Sequence, residues 1–139
     1  MLFLPAALLA QIAGEAQAAS PRECCGLIEG AGGGRDFHAT ALHPALNLAA
    51  APDRFEIDPA AHFAAVKAAR ENGHAIIGCY HSHPQGRAEP SRHDVAGAQE
   101  ENFLWLIAGP EGVKAFAYSA GGFEPVKLIL GADLVTSSL

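Results

Sequence analysis

Ala75 to Tyr80 is an apolar, β-rich run that leads straight into His81-Ser82-His83-Pro84. An apolar run of that length ended by Pro84 reads as a strand. Strand side chains alternate between faces, so imidazoles at i and i+2 point the same way and can grip one ion. The chain must therefore fold so that one strand ends where two histidines share a face.

The flanking segments suit that demand. Asp58-Pro59 opens a helix, with Asp58 as N-cap and Pro59 in the first turn. Asn72-Gly73 closes it. Phe63, Val66 and the alanines are expected on its buried side. Cys24 to Glu29 reads as a strand ended by Gly30, and Gly32-Gly33-Gly34 reads as the turn that follows. A second strand is expected over Arg35 to Leu42, a loop over Pro44 to Asp53, and a brief strand over Phe55 to Ile57. After the loop Gln85 to Pro90, Ser91 is a good N-cap for a short helix reaching about Glu100. Phe103 to Ala108, Val113 to Ser119 and Phe123 to Leu130 alternate with glycine turns and read as three final strands. The fold class is α/β, a mixed sheet with helices packed against it.

The first nineteen residues are apolar and Ala-rich. Ala16-Gln17-Ala18 resembles a signal-peptidase site, but no Lys or Arg precedes the apolar stretch. Gln11 and Glu15 interrupt it at helical spacing. An amphipathic first helix packed by Leu4, Leu8, Leu9 and Ile12 is the favoured reading.

Composition narrows the function. A chain of 139 residues is expected to form one domain spanning 1–139. The formal net charge of −6 argues against a nucleic-acid partner, which needs a basic patch. No apolar run is long enough for a transmembrane helix, so no membrane partner is expected. Cys24, Cys25 and Cys79 are odd in number and form no C-x-x-C pair, which favours reduced, half-buried thiols in a cytoplasmic protein. Cys24 and Cys25 have apolar neighbours and read as inert packing. An exposed apolar face could support a homodimer.

Asp94 follows in the first turn of the helix that Ser91 caps. The seven residues from Pro84 to Pro90 are long enough to swing that turn over the histidines. His81, His83 and Asp94 would leave a fourth tetrahedral position for water, the open coordination of a catalytic zinc rather than a closed structural shell. Amide hydrolysis also needs a carboxylate to shuttle a proton and a donor to steady the oxyanion. Ser91, beside Asp94, could be the donor, because capping uses its oxygen lone pair and leaves the hydroxyl proton free. Glu23, heading the strand that begins at Cys24, is the chosen carboxylate; Glu89 is a rival that reads as a rim residue. His93 is expected to point away from Asp94 and to be exposed. His38, His43, His62 and His74 lack partner spacing and read as structural or surface residues, and Tyr80 and Trp105 as core. The deaminase pairing of H-x-E with P-C-x-x-C is absent, as is the zinc-protease helix H-E-x-x-H.

Gly78 to Pro84, the seven-residue spacer and Ser91-Arg92-His93-Asp94 together resemble the signature of the JAMM (MPN-plus) metalloproteases. Pro21 to Leu27 resembles the segment that carries that family's catalytic glutamate. Asn47-Leu48-Ala49 and Pro52 to Pro59 resemble its central stretch. The likeness runs from about residue 5 to about residue 119. It implies a curled mixed sheet flanked by helices, related in plan to the cytidine deaminases. It implies one zinc per chain on His81, His83 and Asp94, with Glu23 as general acid/base and Ser91 stabilising the tetrahedral intermediate. The implied activity is hydrolysis at the C-terminus of ubiquitin or a ubiquitin-like protein; some members lack the ligands and act only as scaffolds, which is the alternative reading. Cys79 departs from the bulky aromatic that relatives often place there, and its side chain is expected to face away from the histidines. Only 23 residues separate Ile57 from His81, leaving no room for the long insertions of ubiquitin-chain-cleaving members. The chain resembles the compact prokaryotic members, some of which process small ubiquitin-like sulfur-carrier proteins. Such a substrate would present an extended Gly-Gly tail, which could add to a sheet edge.

Overall fold

The computed structural model describes residues 1–33 and 36–131. Eight strands form one mixed sheet in the order β7-β6-β5-β4-β2-β3-β1-β8. They are β1 (Leu2–Pro5), β2 (Cys25–Gly33), β3 (Asp36–Ala45), β4 (Ala75–Ser82), β5 (Phe103–Gly109), β6 (Gly112–Ser119), β7 (Gly122–Val126) and β8 (Leu128–Gly131). Three helices accompany them: α1 (Ala6–Ala19), α2 (Pro59–Glu71) and α3 (Arg92–Gly97).

Two apolar clusters cover the two faces of the sheet. Leu104 and Leu106 of β5 join Leu2, Leu4, Ile12 and Tyr80 on the side of α1. Trp105 and Ile107 join Leu27, Cys79 and Ala65 on the side of α2. The period-2 alternation of β5 thus feeds both layers. In β4 the parity changes at a bulge, because Ile28 pairs with Gly78 and Glu29 with Ile76, leaving Ile77 unpaired. Ile77 joins the α1 side, and from Gly78 onward the even residues face α1 and the odd ones face α2. Tyr80 fits on its side because Gly26 lies opposite it. A Cβ at Gly26 would come within 2.4 Å of the Tyr80 ring. The Tyr80 hydroxyl then reaches α1, donating to Glu15 Oε1 at 2.7 Å.

Several expectations need correction. Leu4 belongs to β1, not to the first helix, and is fully buried there. Pro5 cannot donate a ladder hydrogen bond, and its fixed φ suits the residue leading into α1. Arg35 and Gly34 lie outside the described residues, and β3 runs on through Ala45. The segment Phe55 to Ile57 forms only a single bridge, Asn47 to Ile57. Phe63 is 75% exposed; Ala65 and Ala69 are the buried residues of α2. The expected strand Phe123 to Leu130 is two strands, β7 and β8, at opposite edges of the sheet. Only Lys127 separates Val126 from Leu128, so the two edges approach within two Cα steps, about 7.6 Å. The sheet is therefore strongly curled, with the Lys127 carbonyl accepting from the Leu2 amide. No described helix is long and apolar enough to cross a membrane.

Candidate active site

The site forms at the C-terminal end of β4. The antiparallel register sets Cys25 opposite His81. One step further out, Ser82 N donates to Cys24 O at 3.2 Å. Extending the same register brings Glu23 level with His83. Strand pairing thus sets Glu23 beside a histidine 60 positions away in the chain. On the other side β5 runs parallel to β4, and His83 N donates to Ala108 O at 2.7 Å.

Three side-chain atoms converge. His81 Nε2 lies 3.0 Å from His83 Nε2 and 3.1 Å from Asp94 Oδ2. His83 Nε2 lies 3.2 Å from the same Asp94 oxygen. All three residues are buried. His83 Nδ1 sits 2.7 Å from the Arg87 carbonyl. A carbonyl can only accept, so that contact puts the proton on Nδ1 and turns the Nε2 lone pair toward the cluster. His81 stacks on Phe55, with ring centroids 4.3 Å apart, and meets the Trp105 ring edge-on at 5.7 Å. Its Nδ1 is buried without a hydrogen-bond partner among the described residues. Asp94 is delivered by the capping box of α3: Asp94 N donates to Ser91 Oγ at 3.1 Å, and Ser91 N donates to Asp94 Oδ2 at 2.8 Å.

Glu23 stands beside this triangle. Its carboxylate lies within 4.8 Å of the imidazole nitrogens of His81 and His83. That carboxylate is nearly buried, and Oε1 has no hydrogen-bond partner. Burial pushes its carboxyl up to about 7; His83 opposes the rise, and Asp94 and Asp53 add to it. Burial also pushes the Asp94 carboxyl up, but hydrogen bonds from His81, His83 and the Ser91 amide outweigh it and hold it well below the usual range. Burial lowers His81. Burial pulls His83 down too, but Asp94 and the Arg87 carbonyl overcome it and raise that imidazole.

The site opens into a cleft of about 610 Å³ lined by Glu23, Asp53, His83, Arg87, Glu89 and Ser91, among others. Of the five residues singled out from the sequence, His81, His83 and Asp94 converge, Glu23 stands beside them, and Ser91 is tied to Asp94 and lines the cleft. Glu89 is an exposed rim residue of the cleft. His93 is half-buried rather than exposed, with Nε2 3.6 Å from Asp53 Oδ2. Cys79 faces α2 with His81, not away from it, because both are odd positions beyond the bulge; it packs with Leu27 and Trp105. Three residues gained no role from the sequence: Phe55 against His81, Arg87 through its carbonyl, and Asn47. Only the Asn47 and Phe55 stretches carried a signal, and it was a likeness without a contact.

His43 and His74 turn out to have a partner. Both bond the buried carboxylate of Glu29, His43 Nε2 at 2.8 Å and His74 Nδ1 at 2.7 Å. This cluster lies at the opposite end of β4 from His81.

Comparison with known proteins identifies the family and the fold. Residues 5–119 match the family model described as prokaryotic homologs of the JAB domain. The chain is 36% identical over 93 residues to a desampylase of Haloferax volcanii, covering 66% of each. It is 31% identical over 122 residues to a probable TtuB-protein conjugate cleaving protease of Thermus thermophilus, covering 87% of this chain and 78% of that one. A solution structure from Desulfitobacterium hafniense superposes with a TM-score of 0.86 at 31% identity, covering 96% of this chain and 94% of that one. A JAB1/MPN domain protein from Archaeoglobus fulgidus shares the fold, with a TM-score of 0.60 at 18% identity over 94% of this chain and 97% of that one. With most of its length matched and its mixed sheet shared, the chain belongs to the family of prokaryotic JAB/MPN domain proteins.

Proposed function

We propose that this chain is a zinc-dependent peptidase or isopeptidase that hydrolyses an amide bond at the C-terminus of a ubiquitin-like or sulfur-carrier protein. The observation that carries the reading is the triangle of His81 Nε2, His83 Nε2 and Asp94 Oδ2, with edges of 3.0, 3.1 and 3.2 Å, and beside it the Glu23 carboxylate, whose Oε1 has no hydrogen-bond partner among the described residues. A tetrahedral zinc with bonds of about 2.0–2.1 Å separates its ligand atoms by about 3.3–3.4 Å. The three atoms need to spread by only a few tenths of an ångström to fit it. The donor set, two imidazoles and one carboxylate, is that of a zinc centre with one open position.

Zinc held there would supply Lewis acidity to polarise the scissile carbonyl and ease deprotonation of water. Glu23 takes the proton from the attacking water and returns it to the leaving amine, because it is the only carboxylate beside the triangle that is not already committed to a partner among the described residues. The Ser91 hydroxyl donates to the developing oxyanion; its lone pair is occupied by the Asp94 amide, which aims the proton outward. Phe55 and Trp105 wall off His81 from water.

The relatives' printed names, a desampylase and a TtuB-conjugate protease, support a protein conjugate as substrate. The expected capture of a Gly-Gly tail on a sheet edge needs revising. The edges are β7 and β8, whereas β4 lies inside the sheet between β2 and β5. The tail is better placed in the cleft that opens at His83. Zinc-loaded protein incubated with ubiquitin-like proteins extended beyond Gly-Gly should yield cleavage after the second Gly by mass, abolished by a chelator. Glu23→Ala should keep one zinc per chain and lose turnover by about 10²-fold or more. A fully active Glu23→Ala would remove Glu23 from the mechanism.

A further inference from the structure

Among the described residues Glu23 Oε1 has no hydrogen-bond partner, whereas the backbone that carries the side chain is tied on both sides. The Glu23–Cys24 peptide is held at both ends by side chains. Asn47 Nδ2 donates to the Glu23 carbonyl at 3.0 Å, and the Cys24 amide donates to Ser82 Oγ at 2.8 Å. We propose that Asn47 and Ser82 form a clamp on this peptide and act as positioning residues that aim Glu23 at the metal site. The proposal rests on the reading of Glu23 as the acid–base group.

The hydrogen-bond pattern separates this from routine strand pairing. A hydrogen-bonded antiparallel pair exchanges both backbone bonds. At the pair Cys24 and Ser82 only one backbone bond is made as usual, Ser82 N to Cys24 O at 3.2 Å. The other donor, Cys24 N–H, goes to the Ser82 hydroxyl. The tilt of the peptide is thus set by side chains just before β2 begins. Ser82 is 1% exposed and sits between His81 and His83, so the clamp ties the base directly to the ligand-bearing strand.

Asn47 completes the other side. Its Oδ1 accepts from Ala49 N at 2.9 Å and from Glu56 N at 3.0 Å, and its Nδ2 donates to Arg54 O at 3.1 Å as well as to Glu23 O. Three of these bonds organise the loop that carries Phe55. The fourth leaves the loop to hold the peptide of the base. Arg22 adds a parallel tie by donating to the Ala49 carbonyl. Asn47 therefore couples the aim of Glu23 to the segment whose Phe55 stacks on His81.

The test uses Asn47→Asp, which keeps the acceptor for the loop amides but loses the donor to the Glu23 and Arg54 carbonyls, and Ser82→Ala, which frees the Cys24 amide. Both should retain one zinc per chain and a KM within about twofold of wild type. Both should lower kcat by about 10- to 100-fold, the scale of a 1 Å misplacement. Ser82→Thr, which restores the hydroxyl, should recover most of the loss. In Glu23→Ala the added Asn47→Asp should cost nothing further. Independently of turnover, hydrogen exchange at the Cys24 amide should rise about tenfold in Ser82→Ala. Wild-type kcat in both variants, with Glu23→Ala inactive, overturns the clamp; so does a loss of kcat that follows loss of zinc. An active Glu23→Ala overturns the acid–base reading instead, and Cys24 exchange then decides whether the clamp exists.

Discussion

Glu23 and Glu29 are both almost fully buried glutamates on or beside β2, yet they hold their protons oppositely. Burial pushes both up. At Glu29, hydrogen bonds from His74, His43 and Asn72 outweigh burial and lower its carboxyl below the ordinary value of 4.5. At Glu23 no such donors meet Oε1, and burial prevails. A carboxylate whose folded value is depressed contributes stability that is present above the unfolded value and is lost as pH falls through the folded one. Wild-type protein should therefore lose stability as pH drops below about 4.5. Glu29→Gln should lower stability near neutral pH and flatten that acid-side loss. Denaturant melts from pH 3 to 7 would check it; parallel curves for both proteins would refute the assignment. Ser91 caps α3, and in the proposed mechanism it also supplies the oxyanion donor, so the two roles can be separated. Ser91→Ala should cost about 1 kcal/mol of stability from the lost cap. It should cost about 10²-fold or more in kcat from the lost oxyanion donor. A loss confined to stability would leave Ser91 as a cap alone.

Elements place these residues by register. The β2–β4 ladder aligns the residue before Cys24 with His83, and the capping box of α3 turns Asp94 toward the pair. The contact of Gly26 with Tyr80 protects that ladder, since the ring occupies the space a side chain would need. Gly26→Ala should destabilise by about 1–3 kcal/mol through overpacking, read as a lower denaturation midpoint. It should also shift the Tyr80–Glu15 contact that joins α1 to β4. A neutral effect would mean that the strands can separate at this point without loss. The bulge at Ile77 belongs to the same scale. It alone decides that Tyr80 faces α1 while Cys79 and His81 face α2, and the expected orientation of Cys79 missed the second part. Counting alternation from His81 places Cys79 on its own face, a signal that was legible in the spacing.

The triangle of His81, His83 and Asp94 is built by β4, the loop and the α3 cap, but Glu23 reaches it only through the remote pairing of β2 with β4, so metal binding at the proposed site and folding should be linked. A ligand that binds only the native state adds stability that grows with its concentration, about 2.7 kcal/mol at one hundred times its Kd. Zinc should raise the melting temperature of the wild type and leave Asp94→Ala unchanged. Equal shifts in both proteins would place the binding elsewhere.

The local chemistry was legible in the chain itself. His81, His83 and Asp94 are close in sequence, and strand alternation, a short loop and an N-cap are local devices that bring them to one point without reference to the rest of the fold. Asp58 and Ser91 announced their helices for the same reason, since caps depend on neighbours. Glu23 could be named by likeness, but its distance from His83 depends on a pairing between remote strands. The same holds for the Glu29 cluster, the wall of Phe55 and Trp105, and the clamp of Asn47 and Ser82. Phe123 to Leu130 shows the limit most plainly: its pattern is that of one strand, and only closure of the sheet divides it between two edges. Periodicity records which residues prefer burial and short-range geometry, whereas the partner of a strand is chosen by packing across the whole core.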